Sequence, residues 1–142
     1  TNLRPMNTGG KWKTDFGTIK AVAAVHSSCL PDGTYAANPM GFVINSNEGD
    51  FYYSGDTALT MDMQLIPRWA KPKFAVLPIG DIFTMDIEDA ITTADFVQCN
   101  KIIGVHYDTF EPIKINHEEA KEKFAKAGKE LILLQIGQTI EL

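Results

Sequence analysis

The chain has 142 residues, of which 44% are hydrophobic and 22% are charged, a composition typical of a single globular domain and not of a disordered segment. Acidic residues outnumber basic ones by 18 to 13 and the net charge is -5, so we expect neither nucleic acid nor an anionic membrane as a partner. No CxxC pair, signal peptide or apolar run of roughly 20 residues is present, which favours a reduced, cytoplasmic setting.

The first half of the chain has the patterns of strands joined by loops. A short strand is predicted around residues 11–14 and a longer one over residues 18–25. Residues 27–39 contain Pro-Asp-Gly and Asn-Pro turn signals and are predicted to form a long loop. Two apolar runs flank a polar turn and predict a β-hairpin, with arms at 41–45 and 51–53.

The second half alternates helical and strand patterns. A short helix is expected before Pro67, which ends or kinks it. Asp86 is a candidate N-cap of the next helix, and Asn116 begins a third helix that Gly128 ends. The predicted strands of this half are 74–79, 101–106, 131–134 and 139–142. Without the short strand at 11–14 and the last strand, the order is βββαβαβαβ, which predicts an α/β fold, a mixed sheet with helices on one face, in a single domain over residues 1–142.

Four predicted strands end at a polar residue, namely His26, Asp56, Asp81 and His106. Ligands of open α/β sheets bind outside the carboxyl ends of the strands, so these residues are candidates for one shared site. Imidazole nitrogens and carboxylate oxygens are ligands of zinc and related divalent metals. The alternatives are a solvated or core histidine and, for each Gly-Asp pair, an ordinary turn.

Six ordered blocks carry a family resemblance that runs from Gly9 to Leu142. They are VHSS at 25–28, GFVI at 41–44, YSGDT at 53–57, LPIGDIFTM at 77–85, EDA at 88–90 and HYDTF at 106–110. In these blocks the chain resembles the C-terminal portion of metallo-β-lactamase-fold hydrolases, specifically the metal-dependent hydrolases related to ascorbate-6-phosphate lactonase. The resemblance implies half of an αββα sandwich with a two-metal site at one edge of the paired sheets.

The resemblance also implies roles for three residues. His26 matches the histidine of the first metal, His106 the histidine of the second, and Asp56 the carboxylate that bridges both ions and takes part in catalysis. Two divalent ions are expected in the complete site, with zinc as the first choice and manganese as the alternative.

The HxHxDH motif, which supplies the remaining ligands in the family, is absent from the 142 residues. The resemblance therefore implies that the chain is the C-terminal portion of such a hydrolase domain. The expected partner is the N-terminal half of the same domain or, failing that, a second copy of the chain, besides a small-molecule substrate.

Five further residues lie beside the expected ligands, namely Thr57, Asp81, Thr84, Tyr107 and Asp108. They are candidates to orient the ligands through hydrogen bonds or to contact substrate, although a turn is the more frequent role for a residue such as Asp81. His117 is expected on the surface.

The predicted function is a hydrolase in which water activated by two metals attacks a lactone, ester or phosphoester. The complete site would require the N-terminal half, and the chain alone is expected to be inactive. The alternative, from another class, is a non-catalytic interaction domain that retains the fold without metal chemistry.

Overall fold

The computed structural model describes residues 3–142, which form a seven-stranded sheet whose strands lie side by side in chain order. The strands are β1 (Lys11–Lys13), β2 (Gly17–Ala23), β3 (Met40–Ser46), β4 (Asp50–Tyr53), β5 (Pro72–Pro78), β6 (Lys101–Val105) and β7 (Glu130–Leu133). The expectation of a mixed α/β sheet is confirmed, because β1 to β4 pair antiparallel while β4 to β7 pair parallel.

Strand direction decides where the predicted site residues lie. Since β2 and β4 are both antiparallel to β3, they run the same way, and β5, β6 and β7 follow β4. The carboxyl ends of β2, β4, β5 and β6 therefore meet at one edge of the sheet, which we call the carboxyl edge. It consists of the residues that follow these strands: 24–26, 54–58, 79–85 and 106–110.

The helices are α1 (Ile87–Phe96) and α2 (His117–Lys126), with 3-10 helices at Met61–Arg68 and Glu111–Ile113. Both α-helices begin where predicted. The Asp86 carboxylate accepts the N–H of Asp89, and the Asn116 side chain accepts the N–H of Glu119, which satisfies amides that lack a partner within the helix. Gly128, with φ 72°, follows the end of α2. Within residues 3–142, no helix has the length and apolar composition needed to cross a membrane.

Two predictions differ from the structure. The helix expected before Pro67 is a 3-10 helix that includes this proline, and the N–H groups of Trp69 and Ala70 both donate to the Ile66 carbonyl. The strand predicted at 139–142 is wrong, since the described chain has no strand after β7. A turn closed by Gln138 N–H on the Gln135 carbonyl, at 2.9 Å, separates this tail from β7.

The two faces of the sheet differ in burial. One row of paired residues on the helical face is buried in the core: Val43, Tyr52, Ala75, Ile102 and Leu131. The opposite face, which we call the open face, is also apolar but lies outside that core cluster. Its two central rows are Ile19, Ile44, Phe51 and Phe74, then Phe42, Tyr53 and Val76. The helices pack on one face of the sheet, as expected. That a second sheet covers the open face, as in an αββα sandwich, stays a prediction.

Candidate metal centre

The loop after β4 crosses the start of β3 to reach the end of β2. This crossing is close, because a Cβ atom added at Gly55 would lie 2.7 Å from the Met40 carbonyl oxygen. Gly55 also has φ 66°, a conformation that glycine adopts without strain. The glycine that precedes Asp56 therefore lets this loop pass over β3.

Thr57 holds the two strand ends together. Its hydroxyl oxygen accepts the backbone N–H of Val25 at 2.9 Å, and the N–H of Ala58 donates to the Val25 carbonyl at 3.0 Å. Thr57 is completely buried, so solvent does not compete for these bonds. As His26 follows Val25 and Asp56 precedes Thr57, this connection brings the two loops that carry them together.

Asp56 and His106 face each other across a gap. Atom Nε2 of His106 lies 3.8 Å from Oδ2 of Asp56, which is too long for a direct hydrogen bond. Two donors at about 2.1 Å from one tetrahedral zinc ion are separated by about 3.4 Å, so the gap is close to the size that a shared ion requires. The imidazole and carboxylate pair therefore fits a divalent metal.

His106 has an unusual local structure. Its φ of 57° is strained for a residue with a side chain, and its Nδ1 atom is buried without a hydrogen-bond partner within residues 3–142. The backbone of Gly80 packs against it so closely that a Cβ there would lie 2.2 Å from the His106 carbonyl oxygen. Strain and unpaired buried polar atoms both concentrate at functional sites.

His26 lies outside the pair formed by Asp56 and His106. Its Nδ1 atom donates to the Ser27 carbonyl at 2.8 Å, which leaves Nε2 with the lone pair that a metal needs. In the described part of the chain, no group of three or more His, Cys, Asp or Glu side chains lies close enough together to hold a metal ion. The structure thus places all three predicted ligands at the carboxyl edge, but brings only two side chains together. Their ligand roles stay a prediction.

Two of the flanking residues, Asp81 and Thr84, lie in the loop after β5. The carboxylate of Asp81 accepts the N–H of Ile82 at 2.6 Å, and its φ is 62°, as in a tight turn. The hydroxyl of Thr84 is buried and has no hydrogen-bond partner among the described residues.

Asp108 organises the segment between β6 and α2. Its carboxylate accepts the Ile115 N–H at 3.0 Å and contacts Nε2 of His117 at 2.5 Å. Desolvation acts to raise the pKa of Asp108, but these hydrogen bonds and the neighbouring His117 and Lys114 outweigh it and lower that pKa. The ring of Tyr107 packs edge-on against His117, and desolvation together with the Asp108 charge raises the pKa of Tyr107.

Sequence patterns did not indicate the pairing of Asp108 with His117. The two residues are nine positions apart, on a loop and at the start of a helix, and no spacing rule links such positions. His117 is half exposed, as expected for a surface residue, yet its ring contacts both the Asp108 carboxylate and the Tyr107 ring.

A mixed sheet with helices on one face and polar residues at its carboxyl edge is the arrangement of an α/β fold that binds its ligand at that edge. Residues 1–107 match the family model described as "Beta-lactamase superfamily domain". The chain belongs to the β-lactamase superfamily, and the resemblance noted from its sequence is confirmed for the metallo-β-lactamase fold.

The similar proteins include several named UPF0173 metal-dependent hydrolase. The one from Flavobacterium johnsoniae is 58% identical over 141 residues, which cover 99% of this chain and 63% of that protein. The one from Christiangramia forsetii is 58% identical over 99% of this chain and 62% of that protein. The structure of Igni18, described as a metallo hydrolase from Ignicoccus hospitalis, has a TM-score of 0.81 and 34% identity and covers 95% of this chain and 58% of that one. The chain thus spans less than two thirds of the length of these relatives.

Proposed function

We propose that the chain is part of a metal-dependent hydrolase in which His26, Asp56 and His106 are metal ligands. The observation that carries the proposal is the 3.8 Å gap between Asp56 and His106 at the carboxyl edge. The names of the similar proteins, metal-dependent hydrolase and metallo hydrolase, support the same class of activity.

The complete site would hold two divalent ions, with zinc as the first choice and manganese as the alternative. Such ions polarise a carbonyl or phosphoryl oxygen and lower the pKa of bound water enough to form hydroxide near neutral pH. The Asp56 side chain is half exposed, so a metal ion and a water molecule can both reach its carboxylate. We assign Asp56 the bridging role that the family resemblance implies for it.

The substrate class is a small molecule with a lactone, ester or phosphoester bond. His26 and His106 would act on the reacting group through the ions that they bind; both residues are partly buried, and His106 directly follows β6. Nε2 of each histidine would have to be unprotonated to act as a ligand.

Three ligands are too few for two catalytic ions, since a catalytic zinc normally has three protein ligands of its own. We propose that the remaining ligands come from an HxHxDH segment outside these 142 residues, in the N-terminal half of the same domain. The open face supports this, because its apolar rows would be buried by a second sheet. The alternative is that a second copy of the chain packs against the open face.

The test compares the 142-residue chain alone with the chain supplied with the part of the Flavobacterium johnsoniae relative that lies outside the matched 63%, once the sequence of that part has been checked for HxHxDH. Metal content is measured by mass spectrometry, and hydrolysis is measured on lactone, ester and phosphoester substrates. We expect two metals and turnover only in the combined protein, and we expect Asp56→Ala to abolish both. The matched control is Asp62→Ala, because Asp62 is an exposed carboxylate on the 3-10 helix after Asp56. Two tightly held metals and turnover from residues 1–142 alone would contradict the proposal.

A further inference from the structure

Two aromatic rings form an exposed pair on the loops that follow β5 and β6. The ring centroids of Phe83 and Phe110 are 5.8 Å apart and the rings are tilted by 41°. Phe83 is 52% exposed and Phe110 47%, and neighbouring Ile82 is 63% exposed. We call these three residues the apolar patch. Leaving three large apolar side chains together in water forgoes the free energy of burying them, which favours a role in binding.

The apolar patch lies on the two loops that carry Gly80 and His106. The N–H of Ile79 donates to the Val105 carbonyl at 3.1 Å, which extends the pairing of β5 and β6 to the start of the two loops. Gly80 then packs directly on the His106 carbonyl. Phe110 is four residues beyond His106, and Phe83 contacts Phe110 from the other loop.

Both loops contain residues with strained backbone dihedral angles and are closed by backbone hydrogen bonds of their own. Of the five residues other than glycine with positive φ in the described chain, four lie here: Asp81, Ile82, His106 and Asp108. The N–H of Asp81 donates to the carbonyl of Met85, which is completely buried and anchors the loop. A β-branched residue such as Ile82 rarely adopts positive φ, so the surrounding structure must hold it in place. The backbone that carries Ile82 is therefore held in a defined conformation.

The charges near the patch do not suit a phosphate group. The loop segments 80–85 and 106–110 contain no lysine or arginine. The cation that follows them, Lys114, is paired with Glu111 at 2.5 Å. A phosphorylated substituent would thus lack a free cationic partner on these two loops, whereas an uncharged apolar group would find complementary surface.

We propose that Phe83, Phe110 and Ile82 bind the apolar substituent of the substrate while its polar group lies at the metal centre. This inference rests on the proposed function and narrows its substrate class to esters or lactones that carry an aliphatic or aromatic group. The aromatic pair determines specificity and takes no part in the bond-breaking step.

The test uses straight-chain carboxylates, from butanoate to octanoate, as probes of the zinc-loaded combined protein. Their carboxylate binds at the metal end and their alkyl tail varies only the apolar contact. Dissociation constants are measured by calorimetry for the wild type, Phe83→Ala and Phe110→Ala. The matched control is Phe16→Ala, because Phe16 is 53% exposed but lies before β2, at the opposite edge of the sheet.

In the wild type and in Phe16→Ala, each added methylene should tighten binding about fourfold until the patch is covered. In Phe83→Ala and Phe110→Ala, binding should become nearly independent of chain length, while butanoate binds as in the wild type. An unchanged dependence on chain length in both variants would overturn the inference, as would its absence in the wild type. If the variants instead lower the melting temperature and keep the wild-type dependence, the aromatic pair packs against protein, and the inference is again wrong.

The two proposals fail separately. If the combined protein hydrolyses none of the lactone, ester and phosphoester substrates but shows the chain-length dependence and loses it in Phe83→Ala, the proposed function is overturned and the binding surface is supported. If it hydrolyses esters without regard to the length of the substituent, the proposed function is supported and the binding surface is overturned.

Discussion

The hydroxyl group of Thr57 accepts the backbone N–H of Val25 at 2.9 Å, across 32 positions of sequence. It also donates to the Ala58 carbonyl at 2.8 Å, so the buried hydroxyl both accepts and donates a hydrogen bond. Through this one group, the loop that carries Asp56 is held against the end of the strand that leads to His26.

Thr57→Val should therefore weaken both the fold and the metal centre. Valine preserves the shape but leaves the Val25 N–H without its acceptor, and we expect a loss of about 1–3 kcal/mol in the free energy of unfolding. Zinc affinity of the combined protein should fall at least about tenfold, the usual effect of removing a group that positions ligands. Urea denaturation and zinc titration measure the two effects.

Thr57→Ser is the matched control, since it keeps the hydroxyl and removes only a methyl group. It should retain most of the zinc affinity. Equal affinities for the valine variant and the wild type would show that the Thr57 bond does not position the ligands.

The Asp108 carboxylate should make the chain sensitive to acid. Because its pKa is lower in the folded state than in the unfolded state, ionised Asp108 stabilises the fold above its unfolded pKa of about 4. That contribution is lost as the pH falls through the lower, folded pKa.

We expect the urea midpoint of Asp108→Asn to be lower than that of the wild type at pH 6, and the difference to shrink as the pH is lowered toward 2. Asp62→Asn, at an exposed carboxylate, serves as the control and should track the wild type. A constant difference between Asp108→Asn and the wild type across this range would mean that ionisation of Asp108 is not the cause.

Tyr52 carries a buried hydroxyl that has no hydrogen-bond partner within residues 3–142, and its burial raises the pKa of this phenol. Removing an unpaired buried polar group relieves its desolvation cost. Tyr52→Phe should therefore raise the free energy of unfolding by about 1 kcal/mol. Tyr53→Phe, on the partly exposed neighbour that points to the open face, should leave it unchanged. Destabilisation of Tyr52→Phe in urea denaturation would indicate that the hydroxyl has a partner after all.

The open face should make the 142-residue chain associate. Its central row of apolar residues includes the stacked rings of Phe51 and Phe74, whose centroids are 4.9 Å apart. This row forms a larger apolar surface than the scattered single apolar residues that monomers usually expose. Light scattering at micromolar concentration should detect dimers or larger species. Ile44→Glu, in the same row, should shift the chain toward the monomer.

Ile136→Glu is the control, because Ile136 is fully exposed and lies in the tail beyond β7. A monomeric wild-type chain that binds no apolar dye would contradict the expectation that this face requires a partner.

The amino-acid sequence by itself determined the local features of this protein. The starts of α1 and α2 followed from Asp86 and Asn116, because an N-cap depends on a side chain and amides only two or three residues away. The polar residues that end the strands, His26, Asp56 and His106, were also evident, since a change from apolar to polar character needs no knowledge of the partner strand.

Only the tertiary structure decided which of these residues meet. The 3.8 Å approach of Asp56 to His106 depends on β4, β5 and β6 pairing in order and in parallel, and the approach of the Asp56 loop to β2 depends on its crossing of β3. The aromatic pair of Phe83 and Phe110 arises in the same way from two loops 27 positions apart. Local sequence patterns carry no information on these distances, because the free energy that closes them comes from packing between segments far apart in the chain.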